Sequence, residues 1–280
     1  MTDGAASISP PVVGVSLKMY FSGDETLRWC SHVAAMALAH PGVSNGEVEV
    51  FVLPSYPMLV PAVAALRGTP VRVGAQNLCV KDRGPFTGEV SGAMLAELGC
   101  RYVAVGHAER RRLFREDDTQ VALKVQAALR NQLCPIICIG ETARGDAASA
   151  AETCVAQLRL ALVSMRRGAI EGPLLVAYEP QWAIGVERPA GPEHIRVVVS
   201  RLREHLEGEG WGARAGVIYG GSAGAGLMAQ LGGVVDGLFL GRRAHDPSAL
   251  TAVIDEIMAH ASRAARASAR PPWPVNTLRR

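Results

Sequence analysis

The sequence predicts a single-domain α/β protein built as a (β/α)8 barrel. Three observations lead to this prediction: short branched runs recur about eight times, each is followed by a helical pattern, and the runs are apolar on both faces. Strands that are apolar on both faces are typical of parallel sheets covered by helices. Eight strand–helix units in roughly 250 residues match the count of such a barrel.

The predicted elements alternate along nearly the whole chain. In order, the strands cover residues 12–18, 48–53, 71–76, 101–106, 134–140, 173–178, 213–220 and 236–241. The helices between and after them cover 26–40, 58–66, 91–98, 118–131, 147–165, 192–207, 225–231 and 247–267. The helices are indicated by apolar residues three and four positions apart, and the stripe is clearest over 192–207, where Pro192 also suits the first turn.

A doubly wound open sheet is the structural alternative. It would need a glycine-rich phosphate fingerprint after the first strand, and residues 16–25, SLKMYFSGDE, do not provide one. GGSAGAG at 220–226 resembles such a fingerprint, but it lies late in the chain and no acidic residue follows at the required distance. The barrel is therefore preferred.

Charge and composition limit the classes of partner. Of the 280 residues, 49% are hydrophobic, and 29 basic against 26 acidic side chains leave a formal charge of only +3. So small a net charge gives no general attraction for nucleic acid or an anionic membrane surface. An anionic substrate would have to be held by a local site.

The chain ends and the cysteines suggest a cytoplasmic protein. The first ten residues lack a secretory signal, and no apolar run reaches the ~18–20 residues of a membrane helix. Six scattered cysteines form no C-x-x-C pair and no zinc-ligand set, so they are interpreted as small buried hydrophobic residues. We expect an N-terminal extension over 1–11, the barrel over 12–267, and a flexible basic tail over 268–280 in which an arginine patch for a partner is the less favoured alternative.

Polar residues stand where several predicted strands end. Strand 1 ends at Lys18, strand 4 is followed by His107 and Glu109, and strand 6 ends at Glu179. In a parallel α/β barrel, the loops after the strands build the active site. Each residue alone would be given a structural role, but the barrel needs none of them for packing, so their occurrence at one rim predicts a catalytic site.

Proton transfer beside a carbonyl group is the chemistry that suits these side chains. A carboxylate in a dry site can remove a proton from carbon, an imidazole can donate to the carbonyl oxygen, and an ammonium group can balance the negative charge that develops. The glycine turns after strands 7 and 8 expose backbone N–H groups, which can bind phosphate without many basic side chains.

Six motifs together resemble the triosephosphate isomerase family, whose fold is the (β/α)8 TIM barrel. They are GAQN (74–77), PFTGEVS (85–91), VGHAERR (105–111), CIGET (138–142), AYEPQWAIG (177–185) and YGGS (219–222), in order over residues 12 to about 260. The resemblance implies a cofactor-free sugar-phosphate isomerase without a metal. It makes Glu179 the base, His107 the electrophile, Lys18 the electrostatic partner of the substrate, and Glu109 the neighbour of that lysine.

The same resemblance implies further roles. The lid would be Pro180, Gln181, Trp182, Ala183, Ile184, Gly185 and Val186, with Trp182 as its anchoring aromatic residue. Substrate-binding positions would be Ser16, Gly185, Gly220, Gly221, Ser222, Gly241 and Arg242. The loop 76–89 is similar to a dimer-forming arm, here including Gln76, Asn77, Phe86, Thr87, Gly88 and Glu89, with Thr87 reaching the active site of the second subunit of a homodimer. No nucleic acid or membrane partner is implied.

Four positions depart from the usual family pattern. Ser16 stands where asparagine is usual, Ala108 replaces serine, GVER (185–188) replaces G-T-G-K, and Gly241-Arg242 replaces a Gly-Gly pair. The Gly-Arg turn is similar to that of the branch isomerising tetrulose phosphates such as L-erythrulose 1-phosphate. That branch and the glycolytic enzyme both stay open as hypotheses. A non-catalytic phosphate-binding barrel, and a lyase using Lys18 as a Schiff base, are less favoured alternatives.

Overall fold

Eight parallel strands close into a barrel in which each strand pairs with the next along the chain and the last pairs with the first. The computed structural model describes residues 10–163, 165, 172–186 and 190–268, apart from the side chains of 213 and 261–268. The strands are β1 (Val12–Ser16), β2 (Glu49–Leu53), β3 (Arg72–Ala75), β4 (Tyr102–Val105), β5 (Cys134–Ile139), β6 (Leu174–Tyr178), β7 (Ala215–Tyr219) and β8 (Gly237–Leu240). The predicted barrel is confirmed, because an open sheet could not pair Val12 with Gly237.

The helices lie between the strands and after the last one. They are α1 (Gly23–Ala39), α2 (Pro41–Ser44), α3 (Leu59–Ala65), α4 (Gly92–Glu97), α5 (Ala108–Phe114), α6 (Asp118–Arg130), α7 (Ala147–Ala161), α8 (Pro192–Gly208), α9 (Leu227–Leu231) and α10 (Pro247–Ser268). The sequence patterns did not predict α2 and α5, because α2 is a single turn of four residues and the largely charged sequence of α5, AERRRLF, shows no apolar stripe. The predicted extension and tail lie almost wholly outside the described residues.

Two apolar layers stabilise the barrel. The larger one lies between the outward faces of the strands and the helices. The smaller one fills the interior, and its members recur at every second position of a strand, as in Cys134, Ile136 and Cys138. Phe51 stacks on Tyr102 with 4.3 Å between ring centroids, so large rings fill this part of the interior. All six cysteines are buried and free, which confirms their interpretation as small hydrophobic residues.

The C-terminus of α5 carries a local strain. Arg115 is exposed and follows the helix with φ 56° and ψ 34°, a left-handed conformation that costs most residues with a Cβ roughly 1–2 kcal/mol. Its backbone N–H donates to the carbonyl of Arg110, so the conformation closes the helix as a glycine would.

We therefore expect Arg115→Gly to raise the free energy of unfolding by about 1 kcal/mol, because glycine adopts this conformation without strain. The measurement is a urea unfolding curve. The matched control is Arg28→Gly inside α1, where the same substitution should lower the free energy of unfolding by about 1 kcal/mol. Destabilisation by both substitutions would contradict the strain at Arg115.

Candidate active site

The inward face of the barrel continues past the ends of its strands. On β6, Leu175 and Ala177 point inward, and the next residue in this alternation is Glu179. On β7, Ile218 leads in the same way to Gly220, and on β8, Phe239 leads to Gly241. Side chains of a strand alternate between its two faces, so the two-residue period brings these positions together above the packed interior.

A cavity of about 640 Å³ opens at this end of the barrel. Lys18, His107, Glu109 and Glu179 all line it, so side chains from three distant segments converge on one space. The other lining residues are Ser16, Tyr20, Ala108, Arg112, Gln181, Ile184, Gly185, Val186, Gly220, Ser222, Ala223, Phe239, Leu240, Gly241, Arg242 and Arg243. The predicted catalytic, substrate-binding and lid residues therefore line one cavity, except for Pro180, Trp182, Ala183 and Gly221, and the loop 76–89 does not line it.

Lys18 is held in place from two sides. Its Nζ donates to Glu109 Oε1 at 2.6 Å, as expected from the sequence. Its backbone has φ 48°, in the left-handed region that lysine rarely adopts. Gln76 stabilises this geometry, because its Nε2 donates to the carbonyls of both Lys18 and Leu53 at 2.9 Å. Gln76 thus contacts the site within its own chain, a role that the sequence interpretation missed.

The carboxyl group of Glu109 is ionised at neutral pH. Burial alone would raise the pKa of Glu109, but the hydrogen bond from Lys18, with further attraction from His107 and Lys18, outweighs burial and holds the pKa below its usual value. The result is a stable ion pair whose ammonium group lines the cavity. The Lys18 side chain therefore lies in an ion pair beside the space where a substrate would lie.

His107 precedes α5 and caps its N-terminus. Its Nδ1 accepts a hydrogen bond from the backbone N–H of Glu109 at 3.2 Å. A ring nitrogen that accepts a hydrogen bond carries no proton, so the ring proton of the neutral imidazole lies on Nε2. This atom is 3.7 Å from Glu179 Oε2. The imidazole consequently presents an N–H donor close to the carboxylate.

The carboxyl group of Glu179 is buried, with only 6% of the residue exposed. Burial raises the pKa of Glu179 above its usual value, although His107, Lys18 and Cys138 act in the opposite direction. Its Oε2 is buried without a hydrogen-bond partner among the described residues. A carboxylate in this environment is more basic than an exposed one, which suits proton abstraction.

Two glycines allow the backbone and side chain of Glu179 to occupy this position. A Cβ at Gly220 would lie 2.6 Å from Glu179 Oε1, and a Cβ at Gly140 would lie 2.0 Å from the Glu179 carbonyl oxygen. Both distances are too short for real contacts, so any larger residue would displace the carboxylate or the end of β6. Gly220 therefore forms a wall of the pocket that holds the Glu179 carboxylate.

The predicted lid segment, 180–186, begins with a short 3-10 helix over Gln181–Ala183. Trp182 Nε1 donates to the buried carboxylate of Glu141 at 2.8 Å, and Gln181 N donates to the Glu141 carbonyl at 2.9 Å. Glu141, from the CIGET motif, also lies 3.2 Å from His194 Nε2. The structure thus attaches the first half of the segment to the loop after β5.

The second half of this segment contacts the turn after β7. Gly185 N donates to Ser222 Oγ at 2.9 Å, and the same hydroxyl donates to the Ala183 carbonyl at 2.8 Å. Ser222 has φ 61°, so the YGGS turn is held in a left-handed conformation. Residues 187 and 188, where the sequence also departs from the usual family pattern, lie outside the described residues. The described part of the lid covers one side of the cavity.

The loop 76–89 divides into two parts. Asn77 is buried, and its Oδ1 accepts from Lys124 Nζ at 2.7 Å, while its carbonyl accepts from Tyr56 at 2.6 Å. The residues from 83 to 89 are exposed, including Phe86, Thr87, Gly88 and Glu89. Gln76 and Asn77 are thus used inside the chain, and only the tip of the loop projects from it.

A buried charge network joins this loop to the segment that carries His107. Glu116, whose side chain is 1% exposed, accepts from Lys124 at 2.6 Å, Arg110 at 2.8 Å and Gly106 N at 3.1 Å. Lys124 also bonds to Asn77. The sequence patterns did not reveal this network, because its members are indistinguishable from surface charges until their burial is known.

The described part of the chain contains neither a metal-binding cluster nor a helix that could span a membrane. No group of three or more His, Cys, Asp and Glu side chains could hold a metal ion there. In the same residues, no helix combines the length and apolar character that a membrane span requires.

Comparison with known proteins identifies the family. The triosephosphate isomerase family model matches residues 11–257. The chain is 52% identical over 253 residues to "L-erythrulose-1-phosphate isomerase" of Pectobacterium atrosepticum, covering 90% of this chain and 97% of that protein. It is 38% identical over 253 residues to "Triosephosphate isomerase" of Moorella thermoacetica, covering 88% and 98%.

The chain belongs to the triosephosphate isomerase family. It is therefore an isomerase of that family, as the sequence motifs predicted. Among solved structures, the triosephosphate isomerase of Bartonella henselae superimposes with a TM-score of 0.73 at 27% identity, covering 89% of this chain and 99% of that one.

The positions at which this sequence departs from the usual family residues border the cavity. Ser16, Ala108, Val186 and Arg242 all line it, so the differences from the usual family residues lie where a substrate would be contacted. The packed interior of the barrel carries none of the four.

The burial of Glu179 makes a prediction about stability. Because the folded-state pKa lies above the unfolded value, ionisation destabilises the folded protein, and the penalty develops as the pH rises from the unfolded pKa through the folded one. Glutamine cannot ionise, so we expect Glu179→Gln to raise the free energy of unfolding at pH 7 by about 1.4 kcal/mol per unit of raised pKa.

Urea unfolding at pH 7 and at about pH 4 measures this effect, since the difference between variant and wild type should vanish near the unfolded pKa of roughly 4.3. Glu47→Gln, at an exposed position, is the control and should leave the free energy of unfolding unchanged at both pH values. A Glu179→Gln protein that is less stable at pH 7 would contradict the assignment of a buried, unfavourably placed carboxylate.

Proposed function

We propose that this protein interconverts two ketose phosphates by cofactor-free proton transfer, with a four-carbon tetrulose phosphate as substrate. The reaction would be L-erythrulose 1-phosphate to D-erythrulose 4-phosphate. The convergence of Glu179, His107 and Lys18 on one cavity is the observation that carries the isomerase assignment. The tetrulose assignment is supported by the relative of that name at 52% identity. The Arg242 turn at the cavity mouth supports it as well.

Glu179 is the proposed base. Its buried carboxylate takes the proton from the hydroxyl-bearing carbon next to the ketone, and the electron pair of the broken C–H bond forms the C=C bond of an enediolate. The same proton, or one exchanged with solvent, is then delivered to the former carbonyl carbon. The proton of the neighbouring hydroxyl group passes to the former carbonyl oxygen through His107 Nε2, so a new carbonyl group forms where the hydroxyl group stood. Atoms and charge then balance without an oxidant or a metal.

His107 and Lys18 stabilise the intermediate in this proposal. The Nε2 proton of His107, directed by the cap at Nδ1, is donated to the oxygens of the enediolate. Lys18, paired with Glu109, balances the negative charge on the same oxygens. Backbone N–H groups from Gly185, the turn Gly220–Ser222 and Gly241 are the proposed phosphate donors, and the lid excludes water from the carboxylate. Those of Gly185, Gly220 and Ser222 donate to Ser222 Oγ and to the Tyr178 and Gly220 carbonyls here, so they would have to exchange these acceptors for the phosphate.

A glycolytic triosephosphate isomerase acting on dihydroxyacetone phosphate and glyceraldehyde 3-phosphate is the second candidate. It is favoured by the triosephosphate isomerase relatives at 38% identity. A non-catalytic phosphate-binding barrel is disfavoured, because Lys18, His107 and Glu179 are all present and share one cavity. A Schiff-base role for Lys18 is disfavoured by its ion pair with Glu109, since such a lysine needs a depressed pKa.

The proposal includes the oligomeric state and the cellular location of the protein. We assign residues 12–267 to one isomerase domain that acts as a homodimer in the cytoplasm. The exposed tip of the loop 76–89, with Phe86 and Thr87, is the proposed arm toward the second subunit. Six free, buried cysteines suit a reducing compartment.

The purified protein should isomerise a tetrulose phosphate, and Glu179→Gln should lower kcat by on the order of 10²–10⁴-fold, because the base is removed while the fold is kept. His107→Ala should lower kcat far more than it raises KM, since the imidazole acts on the intermediate. Both variants are assayed with circular dichroism as the folding control. Near-normal kcat in Glu179→Gln, or a His107→Ala effect confined to KM, would overturn these roles.

Parallel assays decide between the four-carbon and the three-carbon substrates. They compare the specificity constants for the erythrulose phosphates with those for dihydroxyacetone phosphate and glyceraldehyde 3-phosphate. We expect the tetrulose phosphate to be preferred and Arg242→Gly to shift the ratio toward three-carbon substrates by about tenfold, equivalent to one charge-assisted hydrogen bond. An unchanged ratio in Arg242→Gly would remove the selectivity role of that residue.

A further inference from the structure

The guanidinium of Arg242 lies at the mouth of the cavity, between the loop after β1 and the lid. Its Cζ lies over the ring of Tyr20, 5.7 Å from the centroid. On the other side, one of its nitrogens, Nη2, is 3.4 Å from the position that a Cβ of Gly185 would occupy. Within the described residues, no carboxylate lies within 4.0 Å of it. Among the described residues, the contact that orients its side chain is therefore with an aromatic ring.

Tyr20 is itself held by a second ring from the same turn as Arg242. His245 contacts Tyr20 edge-on, with 5.4 Å between ring centroids, and packs against Phe21 at 4.5 Å. Arg242 and His245 are the first and last residues of one 3-10 helix. Both ends of this short helix thus contact Tyr20.

The 3-10 helix is fixed to the barrel. Ala244 is buried, and its carbonyl accepts from Trp29 Nε1 at 3.0 Å in the core. His245 adds no charge to this region at neutral pH, because burial, together with the neighbouring Arg242 and Lys18, lowers its pKa. Its Nε2 is buried without a partner in the described part of the chain. The ring therefore acts here as a packing surface and not as a cation repelling the guanidinium.

We propose that Tyr20 and His245 are positioning residues that hold the Arg242 guanidinium beside the lid, where it contacts the phosphate group of the substrate. A phosphate drawn toward the mouth leaves more of the cavity for the sugar chain. The floor at Ser16, a small side chain at the end of β1, then receives the terminal hydroxymethyl group of a four-carbon chain. This inference rests on the proposed function.

Tyr20→Leu removes the ring but keeps an apolar side chain of moderate size. We expect it to raise the KM for the tetrulose phosphate about two- to fivefold with little change in kcat, because a ring–guanidinium contact at a half-exposed site has about that worth. Tyr20→Phe keeps the ring and should behave as the wild type. His245→Leu should raise KM in the same direction. An unchanged KM in Tyr20→Leu would overturn the proposal.

A double-mutant cycle separates positioning from a general structural effect. In an Arg242→Gly background, Tyr20→Leu should cause no further rise in KM, since the group that it positions is gone. An additive effect in that background would overturn the proposal. Trp211→Leu is the matched control: Arg214 lies over that ring at 5.1 Å, but neither residue lines the cavity, so KM should not change.

Calorimetric binding of inorganic phosphate tests the same inference without turnover. Tyr20→Leu should weaken phosphate binding about two- to fivefold and Arg242→Gly at least as much, whereas Tyr20→Phe should not weaken it. If the wild-type protein binds phosphate in this manner yet isomerises no sugar phosphate, the proposed function fails and the positioning role stands. If it isomerises sugar phosphates but phosphate binding is equal in all three variants, the positioning role fails alone.

Discussion

The structure of the site depends on keeping one carboxylate out of water at the end of an apolar strand. Glu179 follows five buried residues of β6, and the unfavourable burial of its charge is what raises its pKa. Gly140 and Gly220 leave the space in which it lies. A charge so placed destabilises the fold unless neighbouring groups compensate, and here the compensation from His107 and Lys18 is incomplete. In the proposed reaction, that residual basicity is the property that removes the proton.

The charged groups around Glu179 have hydrogen-bond partners, whereas Glu179 Oε2 has none among the described residues. Lys18 is paired with Glu109, and the buried carboxylate of Glu116 receives three donors. These paired charges, partly buried at Lys18–Glu109 and fully buried at Glu116, hold the loops after β1, β3 and β4 in one arrangement. Glu179 Oε2, by contrast, has no hydrogen-bond partner in the described part of the chain. This contrast separates the groups that position the site from the one proposed to react.

The segment 180–186, which is the proposed lid, is held by contacts in both of its halves. Its first half is joined to Glu141 through Trp182, and its second half contacts Ser222 through Gly185. Both partners lie in turns that follow barrel strands, so the segment is supported by rigid elements at two points. The Arg242 side chain borders the same segment, so in the proposed function the selectivity assigned to Arg242 is coupled to closure of this segment.

The sequence by itself determined the parallel barrel, the number of strands and the polar residues at their ends that line the cavity. Burial on both faces and the two-residue alternation of side chains are local properties, which a pattern of a few residues expresses directly. It did not determine the left-handed backbone of Lys18, the hydrogen bonds by which Gln76 holds it, the network around Glu116, or the contact of Tyr20 with Arg242. These depend on contacts between residues far apart in the chain, such as the 91 positions that separate Lys18 from Glu109, and only closure of the barrel brings such residues together.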